Sequence, residues 1–341
     1  MMTTAATVGL KAWRIICTGL SRVTSPSIVF SLVNLLGTSS KIEKGSGAGW
    51  ASNILYLSPF TRARKHARSV EGKIIIRAMS KFLGIKQQSI REKIGQWNSC
   101  AFALANGCVQ SCLAVTSGHL KFPELQRFEF IKTLLLMCNR EIFEARLSFE
   151  LCKLQKKAHR AKLQYAARLN GGSDLNWVSF IAQHSTIQFW DYTKDPTMMM
   201  RYLSGLLPSN YHLTFSRGSS NWSECVQILK RGGNVAVVRK VSCESKVGTT
   251  IRIYDADGSY IMVPVISGDE TDYRFNDVVN GKRGAIVELF GKGSPINSDT
   301  SGFALDSYDQ LGTDSARMVY KMVTTKGCAS QDLLTSGRIQ A

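Results

Sequence analysis

Six apolar, strand-like runs recur through the second half of the chain at a nearly constant spacing. They begin near residues 163, 187, 211, 234, 260 and 284. Consecutive starts are about two dozen residues apart, which is the length of one strand and one helix. Repeated strand–helix units place parallel strands side by side through right-handed crossovers. The pattern predicts an α/β fold with a full or partial (β/α) barrel, and an open doubly wound sheet is the alternative.

Three further segments complete the predicted architecture. The apolar run at 53–60 precedes the others and is a candidate first strand. Between the fourth and fifth regular units, Asp257 and Gly258 form a pair that favours a tight turn, so we expect a β-hairpin where a helix would otherwise stand. A helix is expected over 220–231, because Ser or Asn can cap its start and glycines follow its end.

The chain divides into three predicted segments. Residues 1–50 form a basic, loosely ordered leader, residues 51–305 form the α/β domain, and residues 306–341 form a C-terminal tail. The leader resembles a transit peptide, and a basic arm is the alternative. We expect a cytoplasmic location, and an organelle reached through the basic leader is the alternative. No run of eighteen apolar residues occurs, so a membrane span is not expected.

The positive charge is confined to the first half of the chain. The net charge is +18, and residues 1–170 hold 26 Lys and Arg against 8 Asp and Glu, whereas residues 171–341 hold 17 of each kind. A one-sided basic balance indicates a polyanionic partner, most simply nucleic acid. The alternative is a solvated basic surface without a dedicated partner. The oligomeric state is not indicated by the sequence.

Three cysteines lie within thirteen positions. Cys100, Cys108 and Cys112 follow a C-x7-C-x3-C pattern, in a chain whose nine cysteines show neither a secretion signal nor disulfide-scaffold spacing. In a reducing compartment, three such thiolates can hold three irons of a 4Fe–4S cluster and leave the fourth iron open. A second interpretation adds His119 and gives a Cys3His zinc site. A third leaves three buried, structural thiols.

Polar side chains follow five of the six predicted strands. Ligands of α/β folds bind at the carboxyl ends of the strands, so these side chains are candidates for lining one shared ligand-binding site. The candidate catalytic residues are Asp174, Asp191, Lys194, Arg217 and Asp272. The candidate cofactor-binding residues are Asn170, Ser173, Tyr192 and Ser216.

Several motifs resemble a family of uncharacterised bacteriophage and plasmid proteins, and their order is kept over residues 100–303. They are CAFALANGCVQSCL (100–113), RLNGGSDLNW (168–177), DYTK (191–194), NYHLTFSR (210–217), GGNVAVV (232–238) and GDETDYR (268–274). The resemblance implies a phage or mobile-element origin and brings no established activity with it.

A more distant similarity is to radical S-adenosylmethionine enzymes, which have a partial (β/α) barrel. The resemblance implies that Cys100, Cys108 and Cys112 hold a 4Fe–4S cluster and that its open iron binds S-adenosylmethionine. Reductive cleavage of that cofactor would then yield a radical that abstracts hydrogen from the substrate. The family spacing is C-x3-C-x2-C, and we recognise no glycine-rich cofactor motif after the next strand.

Two function classes follow from these observations. The first is an iron–sulfur protein of phage or mobile-element origin, a radical S-adenosylmethionine-type enzyme acting on an unknown substrate for which nucleic acid is a candidate. The second is a non-catalytic nucleic-acid-binding protein with a structural zinc or no metal. The P-loop, H-E-x-x-H, G-x-S-x-G and zinc-deaminase patterns are missing from the sequence.

Overall fold

A ten-stranded, mostly parallel sheet organises the computed structural model of the chain. The structure describes residues 33–38, 42, 49–109, 111–112, 115, 122–255, 257–291 and 293–311. The strands are β1 (Leu36–Gly37), β2 (Trp50–Leu55), β3 (Gln164–Arg168), β4 (Gln188–Thr193), β5 (Tyr211–Ser216), β6 (Val235–Arg239), β7 (Thr250–Tyr254), β8 (Tyr260–Ser267), β9 (Ile286–Phe290) and β10 (Ala304–Leu305).

Helices connect most of these strands, as the spacing of the apolar runs predicts. They are α1 (Phe60–Arg68), α2 (Val70–Leu83), α3 (Gln87–Gln96), α4 (Pro123–Cys138), α5 (Arg140–Arg160), α6 (Val178–Ala182), α7 (Pro196–Leu203), α8 (Trp222–Lys230) and α9 (Ser294–Asn297), with short 3-10 helices at Arg274–Asn276 and Tyr308–Gln310. The Asn139 side chain caps α5 by accepting the N–H of Ile142. Among the described residues, no helix is both long and apolar enough to span a membrane.

The sheet is open, so of the predicted full or partial barrel the full, closed form is wrong. The strand order is β1-β2-β3-β4-β5-β6-β9-β8-β7, with β10 paired to the end of β6. The pairs β1–β2 and β7–β8 are antiparallel and stand at the two edges, where a barrel would need its outer strands to pair with each other. The coarser prediction, an α/β fold built on a mostly parallel sheet, is confirmed.

The strands β2 to β6 lie in chain order and are parallel to their neighbours. Because right-handed crossovers that advance in one direction keep their helices on one face, this part of the sheet is not doubly wound. The main core lies on that face, where Phe143 and Leu147 of α5 are fully buried with Leu55 of β2. On the opposite face, Trp190 packs against Tyr273 in a smaller cluster.

The predicted hairpin is confirmed. Strands β7 and β8 pair in antiparallel register from Thr250 opposite Pro264 to Tyr254 opposite Tyr260. Gly258 in the turn has a φ of 82°, a left-handed conformation that glycine adopts without strain. The hairpin therefore ends the sheet with an antiparallel edge.

Part of the segment predicted as a leader joins the sheet. Strand β1 pairs with β2, and the buried N–H groups of Leu35 and Leu36 donate to the carboxylate of Glu150 at 2.8 to 3.1 Å. The Lys132 ammonium donates to the carbonyl of Leu35 at 2.7 Å. Residues 1–32 and 312–341 lie outside the described residues, so the predicted leader and tail stay predictions over those ranges.

Candidate functional site

A cavity of about 170 Å³ opens at the carboxyl ends of β3 and β4. Its wall contains all three clustered cysteines together with residues that follow these strands. The wall residues are Pro59, Phe60, Thr61, Ser99, Cys100, Ala103, Cys108, Val109, Ser111, Cys112, Val115, Arg168, Asn170, Gly171, Gly172, Ser173, Tyr192, Lys194 and Phe303. The structure thus brings residues 100–112, which we call the cysteine segment, to the edge of the sheet where α/β folds bind ligands.

Backbone hydrogen bonds fix the cysteine segment to the strand ends. The N–H of Asp174, beyond β3, donates to the carbonyl of Ser99 at 2.7 Å, and the N–H of Ser219, beyond β5, donates to the carbonyl of Asn106 at 3.1 Å. Gly107 has a φ of 69°, and a Cβ there would come within 2.8 Å of the Ser219 hydroxyl. The turn around Gly107 therefore requires glycine, and it holds the cysteines against the sheet.

Burial favours the protonated form of the Cys100 and Cys108 thiols. It raises the pKa of Cys100 to about 12, with Asp174 as a second cause, and it also raises the pKa of Cys108. A thiol with a raised pKa is a weak nucleophile, because the thiolate is the reactive form. Metal ligation would require the same protons to be lost, because cysteine binds metals as the thiolate.

The 4Fe–4S cluster on Cys100, Cys108 and Cys112 stays a prediction. In the part of the chain that the structure describes, no group of three or more His, Cys, Asp and Glu side chains could hold one metal ion. His119 lies outside the described residues, so the Cys3His zinc site stays a prediction.

Lys194 projects from the end of β4 into the cavity wall. Its ammonium donates to the Ser216 hydroxyl at 2.5 Å, to the Ser216 carbonyl at 3.3 Å and to the Arg217 carbonyl at 3.2 Å. Burial lowers the pKa of Lys194, while Cys108, Cys100 and Asp174 oppose that effect. The amine is therefore held in place beside the thiols by the end of β5.

Neither Asp174 nor Asp191 is among the residues of the cavity wall, and of the two only Asp191 is fully buried. Asp174 accepts the main-chain N–H of Lys194 at 2.8 Å, and burial raises its pKa. Asp191 is fully buried and accepts the Asn170 N–H at 2.7 Å and the Tyr211 hydroxyl at 3.0 Å. Burial raises the pKa of Asp191 to about 7, with Arg168 opposing the rise. Asp191 lies behind the wall, and its predicted catalytic role stays a prediction.

Arg217 and Asp272 also lie outside the cavity wall. Arg217 donates from Nη1 to the carbonyls of Gly302 at 2.9 Å and Phe303 at 3.1 Å, so its visible role is to hold the segment before β10. Asp272 pairs with Arg168 at 3.5 Å. Three of the four predicted cofactor-binding residues line the cavity, and they are Asn170, Ser173 and Tyr192. The fourth, Ser216, contacts Lys194.

Sequence reasoning missed Arg168 and the glycine pair that follows it. The Arg168 guanidinium lies 4.8 Å from the centre of the Tyr192 ring and closes one side of the cavity. Gly171 and Gly172 line the wall, although no glycine-rich motif was recognised after this strand. A Cβ on Gly171 would lie 2.4 Å from the Ile54 side chain. The sequence signal that could have identified them is a charged residue at the end of the strand, followed closely by two consecutive glycines.

Comparisons with known proteins give a family and no activity. No curated protein and no solved structure matches the chain. The distant similarity to radical S-adenosylmethionine enzymes is therefore not shown by these comparisons. A family model described as gene product 88 matches residues 60–306, which is more than half of the chain and includes every residue of the cavity wall except Pro59. The chain belongs to the gene product 88 family, a family of phage proteins.

Proposed function

We propose that the chain is an iron–sulfur enzyme of the radical S-adenosylmethionine type, with Cys100, Cys108 and Cys112 as the ligands of a 4Fe–4S cluster. The observation that carries the proposal is that all three thiols line one cavity at the carboxyl ends of parallel strands. Bound there, a three-cysteine cluster would supply an open iron and the electron for reductive cleavage of S-adenosylmethionine. We place the activity in the reducing cytoplasm of the host cell.

Lys194 supports the proposed ligands electrostatically. Three thiolates in a largely buried wall are costly without a nearby positive charge. The Lys194 ammonium supplies that charge, and its hydrogen bonds to Ser216 and Arg217 hold it in position. Asp174 fixes the same residue from the other side through its main-chain N–H. We assign Lys194 and Asp174 to holding the site.

The end of β3 supplies polar groups for the cofactor. Asn170 shapes this loop, because its side-chain oxygen accepts the Ser173 hydroxyl at 2.8 Å and the Leu175 N–H at 2.9 Å. The Tyr192 hydroxyl is buried and has no hydrogen-bond partner among the described residues. An unpaired buried hydroxyl is costly, so a ligand that pairs with it gains affinity. We assign Tyr192 and the Ser173 loop to binding the cofactor.

The test is reductive cleavage of S-adenosylmethionine by protein purified without oxygen. We expect 5′-deoxyadenosine to form with a strong reductant, and we expect the Cys108→Ala variant to lose that activity. Cys152→Ala is the matched control, because Cys152 is exposed on α5 and away from the cavity wall. Equal product from the wild type and Cys108→Ala, or none from iron-loaded wild type, would contradict the proposal.

The second candidate is a non-catalytic nucleic-acid-binding protein. The observation that favours it is the excess of exposed Lys and Arg on α1, α2 and α3. Its affinity would come from phosphate contacts and fall steeply with salt. A chain that binds nucleic acid equally well with and without Cys108, and that carries zinc or no metal, would fit this function alone.

A further inference from the structure

The three helices that precede the cysteine segment carry a strongly basic exposed surface. Helices α1, α2 and α3 pack against one another and against α4. Residues 60–97 contain ten Lys and Arg against two Glu. Eight of the cations are exposed, and we call them the basic helix surface. They are Arg64, Lys65, Arg68, Lys73, Arg77, Lys81, Lys86 and Lys93.

The acids of this region do not neutralise the basic helix surface. Glu71 forms ion pairs with His66 and with Arg127, neither of which belongs to the surface. Glu92 accepts a hydrogen bond from Gln88 at 3.1 Å. Within the described residues, none of the eight cations forms an ion pair with a carboxylate. The charge is therefore open to an outside partner.

Helix stability explains only part of this charge. Cations in the last turn of a helix interact favourably with its dipole, which accounts for Lys65 and Arg68 on α1, for Lys81 on α2 and for Lys93 on α3. Lys86 stands instead at the start of α3, where a positive charge is unfavourable. Arg77 lies more than a turn from either end of α2. These two positions are better explained by a polyanionic partner than by the helices themselves.

The basic helix surface reaches the cavity through α1. Phe60 and Thr61, the first residues of α1, line the cavity wall. One turn later, the exposed Arg64 guanidinium lies 5.5 Å from the centre of the Phe60 ring and donates to the Gly95 carbonyl at 2.8 Å. A polyanion that follows the cations is thus led to the entrance, where a ring and a guanidinium plane are available for base stacking.

We propose that the basic helix surface binds single-stranded nucleic acid and presents one of its nucleotides to the cavity. The second half of this statement rests on the proposed function, since it makes the strand the substrate of the cysteine site. Phosphates contact the exposed cations, and a base stacks at Phe60 and Arg64. A single strand fits this entrance because its bases are free to stack on protein side chains.

The test compares two triple variants that remove the same charge. Lys73→Gln, Arg77→Gln and Lys81→Gln change the basic helix surface, whereas Lys153→Gln, Lys156→Gln and Lys157→Gln change exposed cations of α5. A fluorescent single-stranded oligonucleotide is titrated at several salt concentrations. For the first variant, we expect the slope of log affinity against log salt to shrink by about 0.7 per lost phosphate contact, so by about two for three contacts. The α5 variant should keep the wild-type slope.

Three results would overturn the proposal. An equal decrease of the salt slope in the two triple variants would show that the oligonucleotide is attracted by the positive charge of the whole chain and not by a dedicated surface. Tighter binding of duplex than of single strand would contradict the proposed base stacking. Binding to phosphatidylserine vesicles without binding to the oligonucleotide would assign the surface to a membrane. Iron content is measured on every variant. A wild-type chain that holds no iron and still binds the oligonucleotide would contradict the proposed cluster and support the docking surface.

Discussion

The main-chain N–H of Lys194 donates to Oδ2 of Asp174 at 2.8 Å, and this bond joins the end of β4 to the loop after β3. The N–H of the same aspartate donates to the carbonyl of Ser99, next to the first cysteine. One residue thus connects the cysteine segment to the lysine that faces it across the cavity. The arrangement explains how a segment from the first third of the chain is fixed at the strand ends.

Replacing Asp174 separates its structural contact from its charge. Asp174→Ala removes the acceptor of a buried N–H, which costs about 1–3 kcal/mol of unfolding free energy. Asp174→Asn keeps a side-chain oxygen in the same place, so we expect it to recover most of that loss. Urea unfolding of the three proteins at one pH is the measurement. An Ala variant as stable as the wild type would show that the Lys194 N–H finds another partner.

Asp191 predicts a pH dependence of stability. Its pKa is about 7 in the folded chain and 3.8 in its ordinary state. The folded state therefore holds the proton more tightly, and this contribution to stability is present at acidic pH and lost as the pH rises from about 4 to about 7. We expect Asp191→Asn, which does not titrate, to become relatively more stable than the wild type across that range. A difference in unfolding free energy that is the same at pH 5 and pH 8 would contradict this account.

Gly171 predicts a steric effect at the cavity wall. An added Cβ would lie 2.4 Å from the Ile54 side chain and 2.8 Å from the Leu55 carbonyl oxygen, so Gly171→Ala should lower the unfolding free energy by about 1–3 kcal/mol. Gly95 on α3 is the matched control, because a Cβ there meets nothing within 4 Å. Gly95→Ala should stabilise by about 0.5–1 kcal/mol. Thermal unfolding of both variants checks the signs, and a stabilised Gly171→Ala chain would contradict the packing described.

The strands were predictable because the pattern of apolar and polar residues that produces a strand is local in the sequence. Apolar runs such as those of β4 and β5 are bounded by polar residues and turns, and they predict strand–helix units without knowledge of the rest of the chain. Closure of the sheet is not local. Strand β1 has two residues, and the antiparallel direction of β7 depends on a hairpin at the far edge, so the same units were compatible with a barrel.

The site was partly predictable for the same reason. A residue at the end of a parallel strand is placed at the ligand-binding edge, and Lys194 and Tyr192 line the cavity there, while their roles stay predictions. The direction of a side chain depends on distant partners. Arg217 turns towards the carbonyls of Gly302 and Phe303, more than eighty residues away in the chain, and no local pattern reveals that contact.

The content of iron, acid-labile sulfide and zinc in protein purified without oxygen tests the central claim most directly. We predict about four irons with matching sulfide per chain, visible absorbance in the wild type and in Cys152→Ala, and loss of both iron and absorbance in Cys108→Ala. One zinc without iron would contradict the claim and assign the three cysteines to a structural site. A wild-type chain without either metal would contradict it as well, and would return the three thiols to a packing role.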